Sequence, residues 1–172
     1  MHTARSSRYG PTVDLGPFTE AADPSMLVVT AGSGAGSSGC LVGFHTQCSI
    51  DPPRYAVALS KANHTYSVAV DSSVLGVNLL AASQVAVARL FGGETADEGT
   101  DKFDLCDWVE GPGGVRLVSG SRAWLVGTVL HRIDVGDHVI HVLEPVEVGT
   151  TPVGGAPLRH RAAGSIHPGH PE

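Results

Sequence analysis

Residues 26–60 read MLVVTAGSGAGSSGCLVGFHTQCSIDPPRYAVALS, and this stretch decides the fold. The loop GAGSSG at 34–39 follows an apolar run and has the G-x-G-x-x-G spacing of a dinucleotide-binding turn. Such a turn must open a helix, because the N-terminal amides of that helix hold the pyrophosphate. Residues 40–48 instead combine an internal glycine with β-branched residues, and the Pro-Pro pair at 52–53 stops any helix. The sequence therefore predicts a β-hairpin connection rather than a Rossmann-type site.

The composition limits the class of protein. The 172 residues, of which 42% are hydrophobic and 16% charged, predict one lightly charged globular domain. A net charge of -6 without a Lys/Arg run argues against a nucleic-acid partner. Apolar runs fall short of the roughly 20 residues that cross a membrane, and we expect neither a signal segment nor a membrane anchor. The three scattered cysteines favour a cytoplasmic location over a disulfide framework.

The chain divides by composition into three segments. We expect an irregular N-terminal arm at 1–23, a folded domain at 24–149 and a mostly irregular, histidine-containing tail at 150–172. Two short helices are predicted in the domain, one capped by Asn63 and one over 83–91. Many short strands with two minor helices indicate a closed β-barrel. The predicted strands are 26–30, 39–44, 55–59, 74–79, 123–133 and 137–148, the last two joined by a glycine turn at 134–136.

The order of short motifs resembles that of the flavin reductase-like split β-barrel family, which binds FMN. The motifs are GCLV at 39–42, TQCSIDPP at 46–53, LSK at 59–61, VNLL at 77–80, RLF at 89–91 with DKF at 101–103, GDH at 136–138 and PL at 157–158. The resemblance spans about Ser25 to Leu158. It implies a mainly β fold, a six-stranded antiparallel split β-barrel of Greek-key type with two or three short helices. It also implies a homodimer with flavin at the subunit interface.

The resemblance also implies which residues bind the cofactor. The extended segment 39–49 would meet the flavin ring edge, and the helix start at 60–65 would hold the phosphate. From the residues alone, an interior strand and an ordinary capped helix with an exposed lysine explain the same segments. The candidate flavin-binding residues are Gly39, Cys40, Leu41, Val42, Thr46, Gln47, Cys48, Ser49, Ser60, Lys61, Asn63, His64, Thr65 and Phe91.

His138, in the GDH turn, is the candidate catalytic residue. The resemblance implies that it lies near flavin and nicotinamide, where it would orient the nicotinamide or balance charge on reduced flavin. A histidine on a surface turn is the alternative. The chain also departs from the family pattern, since Leu41 replaces a common threonine and His45 a common phenylalanine, and the C-terminal end lacks a tyrosine-rich run.

A metal site is a less favoured interpretation of the cysteines and histidines. Cys40, His45 and Cys48 lack an adjacent fourth ligand, and His138 and His141 would face opposite sides of a strand. The sequence also has no G-x-S-x-G nucleophile motif. We therefore expect no metal.

The predicted function is that of an FMN-dependent oxidoreductase, with FAD as the alternative cofactor, that takes hydride from NADH or NADPH onto flavin N5. Electrons would then pass to free flavin, a partner monooxygenase or a small acceptor. Two alternatives remain open at this point. One is a non-enzymatic FMN-binding electron carrier, and the other is a flavin-free barrel with an interaction or structural role.

Overall fold

The computed structural model describes residues 13–93, 101–152 and 154–164. The helices in these ranges are α1 (Gly16–Ala22), α2 (His64–Val70), α3 (Val85–Gly93) and α4 (His160–Ala163). The strands are β1 (Leu27–Ala31), β2 (Ser38–Val42), β3 (His45–Ser49), β4 (Arg54–Ser60), β5 (Val74–Leu79), β6 (Trp108–Glu110), β7 (Arg116–Val118), β8 (Ala123–Asp134) and β9 (His138–Thr150). None of the helices in the described part of the chain has the length and apolar character to span a bilayer.

Seven strands form one antiparallel sheet in the order β2-β1-β5-β8-β9-β4-β3, while β6 pairs separately with β7. The two edge strands, β2 and β3, are consecutive in the chain and joined by Gly43 and Phe44 alone. The two edges of the sheet must therefore approach each other, and register shifts in the long β8–β9 pair provide the bending that this requires. This curled antiparallel sheet confirms the expected mainly β, barrel-type fold, with seven strands in the main sheet rather than six.

The glycine loop of the opening stretch is the turn of a hairpin. β1 pairs antiparallel with β2, so that Leu27 lies opposite Val42 and Ala31 opposite Ser38. A short 3₁₀ turn at Gly34–Gly36 connects them. Because a strand follows the loop instead of a helix, the Rossmann alternative is excluded, as the sequence predicted. The expected single extended segment at 39–49 is corrected to two strands, β2 and β3, that belong to opposite edges of the sheet.

The core lies on both faces of β1. All five of its residues are buried: three alternate side chains enter one hydrophobic cluster, and Val28 on the opposite face enters another. The buried Asn78 of β5 connects this core to β7, because its side-chain amide donates to the Val28 carbonyl at 3.0 Å and its oxygen accepts from the Val118 amide at 2.9 Å. A buried amide with both ends paired avoids the cost of an unsatisfied polar group and fixes the register of these strands.

Both predicted helices are confirmed. The Asn63 side chain accepts a hydrogen bond from the Thr65 amide at 2.9 Å, which caps α2 as expected for asparagine at this position. The second predicted helix corresponds to α3, whose Ala88 and Phe91 are buried. Both helices pack against β2.

The terminal segments are more regular than the sequence indicated. α1 lies within the predicted arm, where the Asp14 side chain accepts from the Gly16 amide at 2.9 Å. In the predicted tail, Leu158 is fully buried, its amide donates to the Leu80 carbonyl at 2.9 Å, and α4 follows. Leu158 follows a proline and precedes three polar residues, so it belongs to no apolar periodicity and only its distant contacts reveal this order. Residues 1–12, 153 and 165–172 of these segments lie outside the described residues.

Candidate functional site

A cavity of about 800 Å³ opens where β2, β4 and β9 meet α3 and α4. Its volume falls in the range of about 300–1,000 Å³ that is typical of small-molecule sites. Residues far apart in the sequence converge there, because the curled sheet brings its edge strand β2 close to β4, the neighbour of the other edge strand β3. The predicted site residues that line this cavity are Cys40, Leu41, Val42, Ser60, Lys61, Asn63, Phe91 and His138.

The other predicted site residues lie outside this cavity. Thr46, Gln47 and Cys48 are exposed on the edge strand β3, and Ser49 is half-buried at its end. The Thr46 hydroxyl donates to the Gln47 carbonyl at 3.1 Å, and the Gln47 amide donates to the Ser49 carbonyl at 3.1 Å. The Thr46 and Gln47 side chains therefore form hydrogen bonds along their own strand.

Three more predicted residues lie beside the cavity without lining it. Gly39 packs under the Phe91 ring so closely that a Cβ atom there would lie 2.8 Å from a ring carbon. Thr65 is buried, with its hydroxyl 2.8 Å from that of Ser38, whereas His64 is exposed on α2. Gly39 and Thr65 thus support the wall formed by β2, and His64 faces solvent.

One side of the cavity is polar and contains Ser60 and Lys61. The Lys61 ammonium lies 2.7 Å from the Asp134 carboxylate, and this hydrogen bond is the main reason that the pKa of Asp134 is lowered. The Ser60 hydroxyl accepts from the Ala62 amide at 3.3 Å. These groups are satisfied locally, but all except Asp134 line the cavity, so an anion bound there would share Lys61 with Asp134.

His138 is held in place by two neighbours. Its Nδ1 atom lies 2.8 Å from the Asp137 carboxylate, which lowers the pKa of Asp137, and its ring meets the Phe44 ring edge to face with centroids 5.2 Å apart. Its backbone pairs with Ser60 across β4 and β9. Since Nδ1 is engaged by Asp137, Nε2 is the ring nitrogen that can contact a ligand.

Three other candidates for metal or nucleophilic chemistry, Cys40, His45 and His141, are buried or hydrogen-bonded within the fold. Burial raises the pKa of the Cys40 thiol to about 11, so it stays protonated at neutral pH and is a poor nucleophile. His45 is held between the Tyr55 hydroxyl and the Ser25 carbonyl, both at 2.7 Å. Burial lowers the pKa of His141, which packs inside the sheet. Within the described ranges, no group of three or more His, Cys, Asp or Glu side chains is placed to hold a metal ion.

Several lining residues were not anticipated from the sequence. Phe44, in the two-residue link between β2 and β3, projects beside His138. Glu20 of α1 and His160 of α4 come from the segments that were predicted to be irregular. His160 follows the PL pair at 157–158 after one intervening residue, and no local pattern in the sequence marks it as a cavity residue.

The fold and the cavity define a β-barrel protein with a candidate ligand site where β2 approaches β4 and β9. The family model described as "Flavin reductase like domain" matches residues 21–164. This match covers most of the chain, and the protein therefore belongs to the flavin reductase-like family.

Similar proteins agree with this membership. The FMN reductase (NADH) RutF of Klebsiella pneumoniae is 29% identical over 113 residues, which cover 66% of this chain and 68% of that protein. The 4-hydroxyphenylacetate 3-monooxygenase reductase component of Pseudomonas aeruginosa is 28% identical over 117 residues, covering 68% of this chain and 69% of that protein. The solved structure of the NADH:FAD oxidoreductase SgcE6 of Streptomyces globisporus superimposes with a TM-score of 0.73 at 25% identity, covering 87% and 90% of the two chains.

Proposed function

We propose that this protein is an NADH-dependent flavin oxidoreductase that uses FMN, with FAD as the alternative flavin. The observation that carries the proposal is the convergence of β2, the Ser60–Lys61 segment and His138 on one cavity in a chain of this family. The relatives named as NADH-dependent flavin reductases support both the cofactor and the reductant. NADPH is the alternative reductant.

The chemistry of the cavity fits a flavin. Leu41, Val42 and Phe44 offer an apolar wall of the kind that accepts a flat ring, and Ser60 and Lys61 offer the polar groups that a terminal phosphate needs. A cavity of about 800 Å³ is large enough for the flavin and part of a second substrate. The polar side and the apolar wall thus supply different parts of one binding site.

A bound flavin supplies the hydride acceptor, so the protein has to bind, orient and exclude water rather than provide a general base. In this proposal, His138 contacts the reactants through Nε2, while Asp137 fixes its ring through Nδ1. Lys61 holds the phosphate, and the apolar residues of β2 keep water away from the reacting atoms. The predicted flavin-binding residues of β3, at 46–49, lie outside the cavity and have no role in a single chain.

We further propose that the protein is a homodimer with the flavin at the subunit interface. Thr46, Gln47 and Cys48 are exposed on an edge strand, and an edge strand with unpaired backbone groups is a surface that a partner can cover. Exposed apolar side chains on β9, Val146 and Val148, also favour association. If a second protomer covered β3, Thr46, Gln47 and Cys48 would lie at the subunit interface, next to a flavin bound there. Light scattering on the purified protein tests the dimer, and a monomer that still binds flavin would contradict it.

The final electron acceptor in the proposal is free flavin, a small acceptor or a partner monooxygenase. The relative from Pseudomonas aeruginosa is named as the reductase component of a monooxygenase, which supports the last of these. We infer a cytoplasmic location, because all three cysteines of the chain are free, as expected in a reducing compartment.

An absorbance spectrum of the purified protein, followed by anaerobic titration with NADH and with NADPH, tests the proposed function. We expect the protein to bind FMN and the flavin absorbance to bleach on addition of NADH. Flavin that is bound but is not reduced by either nucleotide would replace the proposal with an electron carrier. Protein that neither binds FMN or FAD nor gains thermal stability from them would indicate a flavin-free barrel.

A further inference from the structure

His160 is a polar residue of the cavity to which the proposed function assigns no role. It lies at the start of α4, lines the cavity and is half-buried. Its Nδ1 atom is buried and has no hydrogen-bond partner. A buried imidazole nitrogen without a partner is uncommon, because such a group loses its hydrogen bonds to water without replacement.

The surroundings of Nδ1 decide which ring nitrogen carries the proton. An orphaned buried N–H is rarer than an under-used acceptor, so the neutral ring is best accommodated with its hydrogen on Nε2. His160 lines the cavity, and because Nδ1 is enclosed by the protein, Nε2 is the ring nitrogen left to reach a ligand. His160 is therefore a hydrogen-bond donor at the cavity wall.

The backbone holds this donor in a fixed position. The His160 amide donates to the Pro24 carbonyl at 2.9 Å, and the Arg161 amide donates to the Asp23 carboxylate at 2.9 Å. The Arg161 guanidinium donates to the Glu20 carbonyl at 3.0 Å, which joins α1 to α4. These contacts involve no side-chain atom of His160, so its ring can be replaced without removing them.

The charges around the cavity restrict which chemical group can bind beside His160. The acidic residue Glu20 lines the cavity and contacts α4 through its backbone carbonyl, whereas Lys61 lies with Ser60 and His138 on the part formed by β4 and β9. A phosphate is favoured beside Lys61 and disfavoured beside Glu20. The group that fits the His160 part is consequently neutral and accepts a hydrogen bond.

We propose that His160 donates a hydrogen bond from Nε2 to an amide-type carbonyl oxygen of the bound reactants. This inference rests on the proposed function, since such a carbonyl occurs both on the pyrimidine edge of a flavin and in the carboxamide of a nicotinamide. His160 is thus a binding residue that selects the orientation of a planar heterocycle in the cavity.

Three substitutions at this position test the inference. His160→Phe keeps a ring of similar size without polar atoms, His160→Gln places an amide N–H near the position of Nε2, and His160→Asn places it near Nδ1. Arg159→Gln is the matched control, because Arg159 is exposed in the same segment and does not line the cavity. Thermal unfolding of every variant establishes that the fold is retained.

Two measurements separate the two sources of the carbonyl. The Kd for FMN, from quenching of flavin fluorescence, reports contact with the flavin, and the KM for NADH reports contact with the nicotinamide. We expect His160→Phe and His160→Asn to raise one of these constants about tenfold, as loss of a good hydrogen bond predicts, and His160→Gln to restore most of it. Arg159→Gln should change neither constant.

The outcomes distinguish this inference from the proposed function. If the unaltered protein binds FMN and oxidises NADH while His160→Phe leaves both constants within twofold, His160 is a structural residue and the inference is wrong. Equal losses in His160→Gln and His160→Phe would also overturn it, because the Nε2 position would then be irrelevant. If the unaltered protein neither binds FMN nor oxidises NADH, the proposed function itself fails.

Discussion

The ammonium of Lys61 lies 2.7 Å from the carboxylate of Asp134, the last residue of β8. Both side chains are substantially exposed, so the pair contributes little to stability. The ion pair instead fixes the position of Lys61 beside Ser60 at the polar side of the cavity. A bound phosphate would compete with Asp134 for the same ammonium group.

Replacing Lys61 should weaken the binding of FMN more than that of riboflavin. Lys61→Ala removes the cation proposed to contact the phosphate, and we expect the Kd for FMN to rise about tenfold. Riboflavin lacks the phosphate and should bind the variant and the original protein alike. Fluorescence titration with both flavins measures the difference.

Asp134→Asn is the matched control for the lysine. It removes the competing carboxylate and leaves the ammonium in place, so FMN should bind as well as in the unaltered protein or more tightly. An equal loss of affinity for FMN and riboflavin in Lys61→Ala would place the phosphate elsewhere.

Substitution of His138 should slow flavin reduction without abolishing flavin binding. His138→Ala removes the ring that Phe44 and Asp137 hold at the cavity wall. Misplacement of a reactant by about 1 Å costs on the order of 100-fold, and we expect a decrease of roughly 10- to 100-fold in the rate constant of reduction at saturating NADH. Anaerobic stopped-flow absorbance measures this rate.

Asp137→Asn tests the supporting contact separately. Its side-chain oxygen can still accept from Nδ1, so the decrease in rate should be smaller than in His138→Ala. If His138→Ala reduced flavin at the same rate as the original protein, His138 would have no role in the reduction.

The buried thiol of Cys40 should make stability depend on pH in the alkaline range. Its pKa is about 11 in the folded protein against 9.0 for an ordinary thiol, since burial disfavours the thiolate. The resulting stabilisation is complete below pH 9 and is lost as the pH rises through about 11. Urea unfolding at several pH values should therefore show stability falling over this interval.

Cys40→Ala is the control for the thiol, because it removes the group and its share of the pH dependence. Tyr55, whose pKa is also raised by burial, titrates in both proteins and cancels in the comparison. A constant difference in unfolding free energy between the two proteins from pH 8 to pH 11 would show that Cys40 does not titrate as expected. The exposed Cys48 should react with a thiol reagent at pH 8 while Cys40 does not.

The parts of the fold that were predictable have strong local signals. Two signals excluded a helix after the loop, namely the Pro-Pro pair at 52–53 and the internal glycine Gly43. The hairpin of β1 and β2 confirms that prediction. Asn63 marked the start of α2 through an ordinary capping hydrogen bond. Each of these signals depends on a few neighbouring residues, so it can be recognised from the sequence alone.

The parts that were missed depend on contacts between distant segments. β3 was not separated from β2 because its middle residues are exposed and polar, without the alternation that marks a half-buried strand. α4 is held by Asp23 and Pro24, more than a hundred residues away in the chain. The presence of His160 in the cavity follows from those contacts and from no local pattern.

Gly39 should be far less tolerant of substitution than Gly36, although both belong to the G-x-G-x-x-G loop. Neither residue has a positive φ, but a Cβ at Gly39 would lie 2.8 Å from the Phe91 ring, whereas a Cβ at Gly36 meets nothing within 4 Å. Overpacking a buried site costs about 1–3 kcal/mol, so Gly39→Ala should lower the unfolding free energy by that amount and displace Phe91 from the cavity wall. Gly36→Ala should change stability by less than about 0.5 kcal/mol, as expected for an unobstructed surface position. Urea unfolding measures both effects, and FMN affinity should fall in Gly39→Ala alone. Equal stability of the two variants would mean that the close packing of Gly39 against Phe91 does not constrain this position.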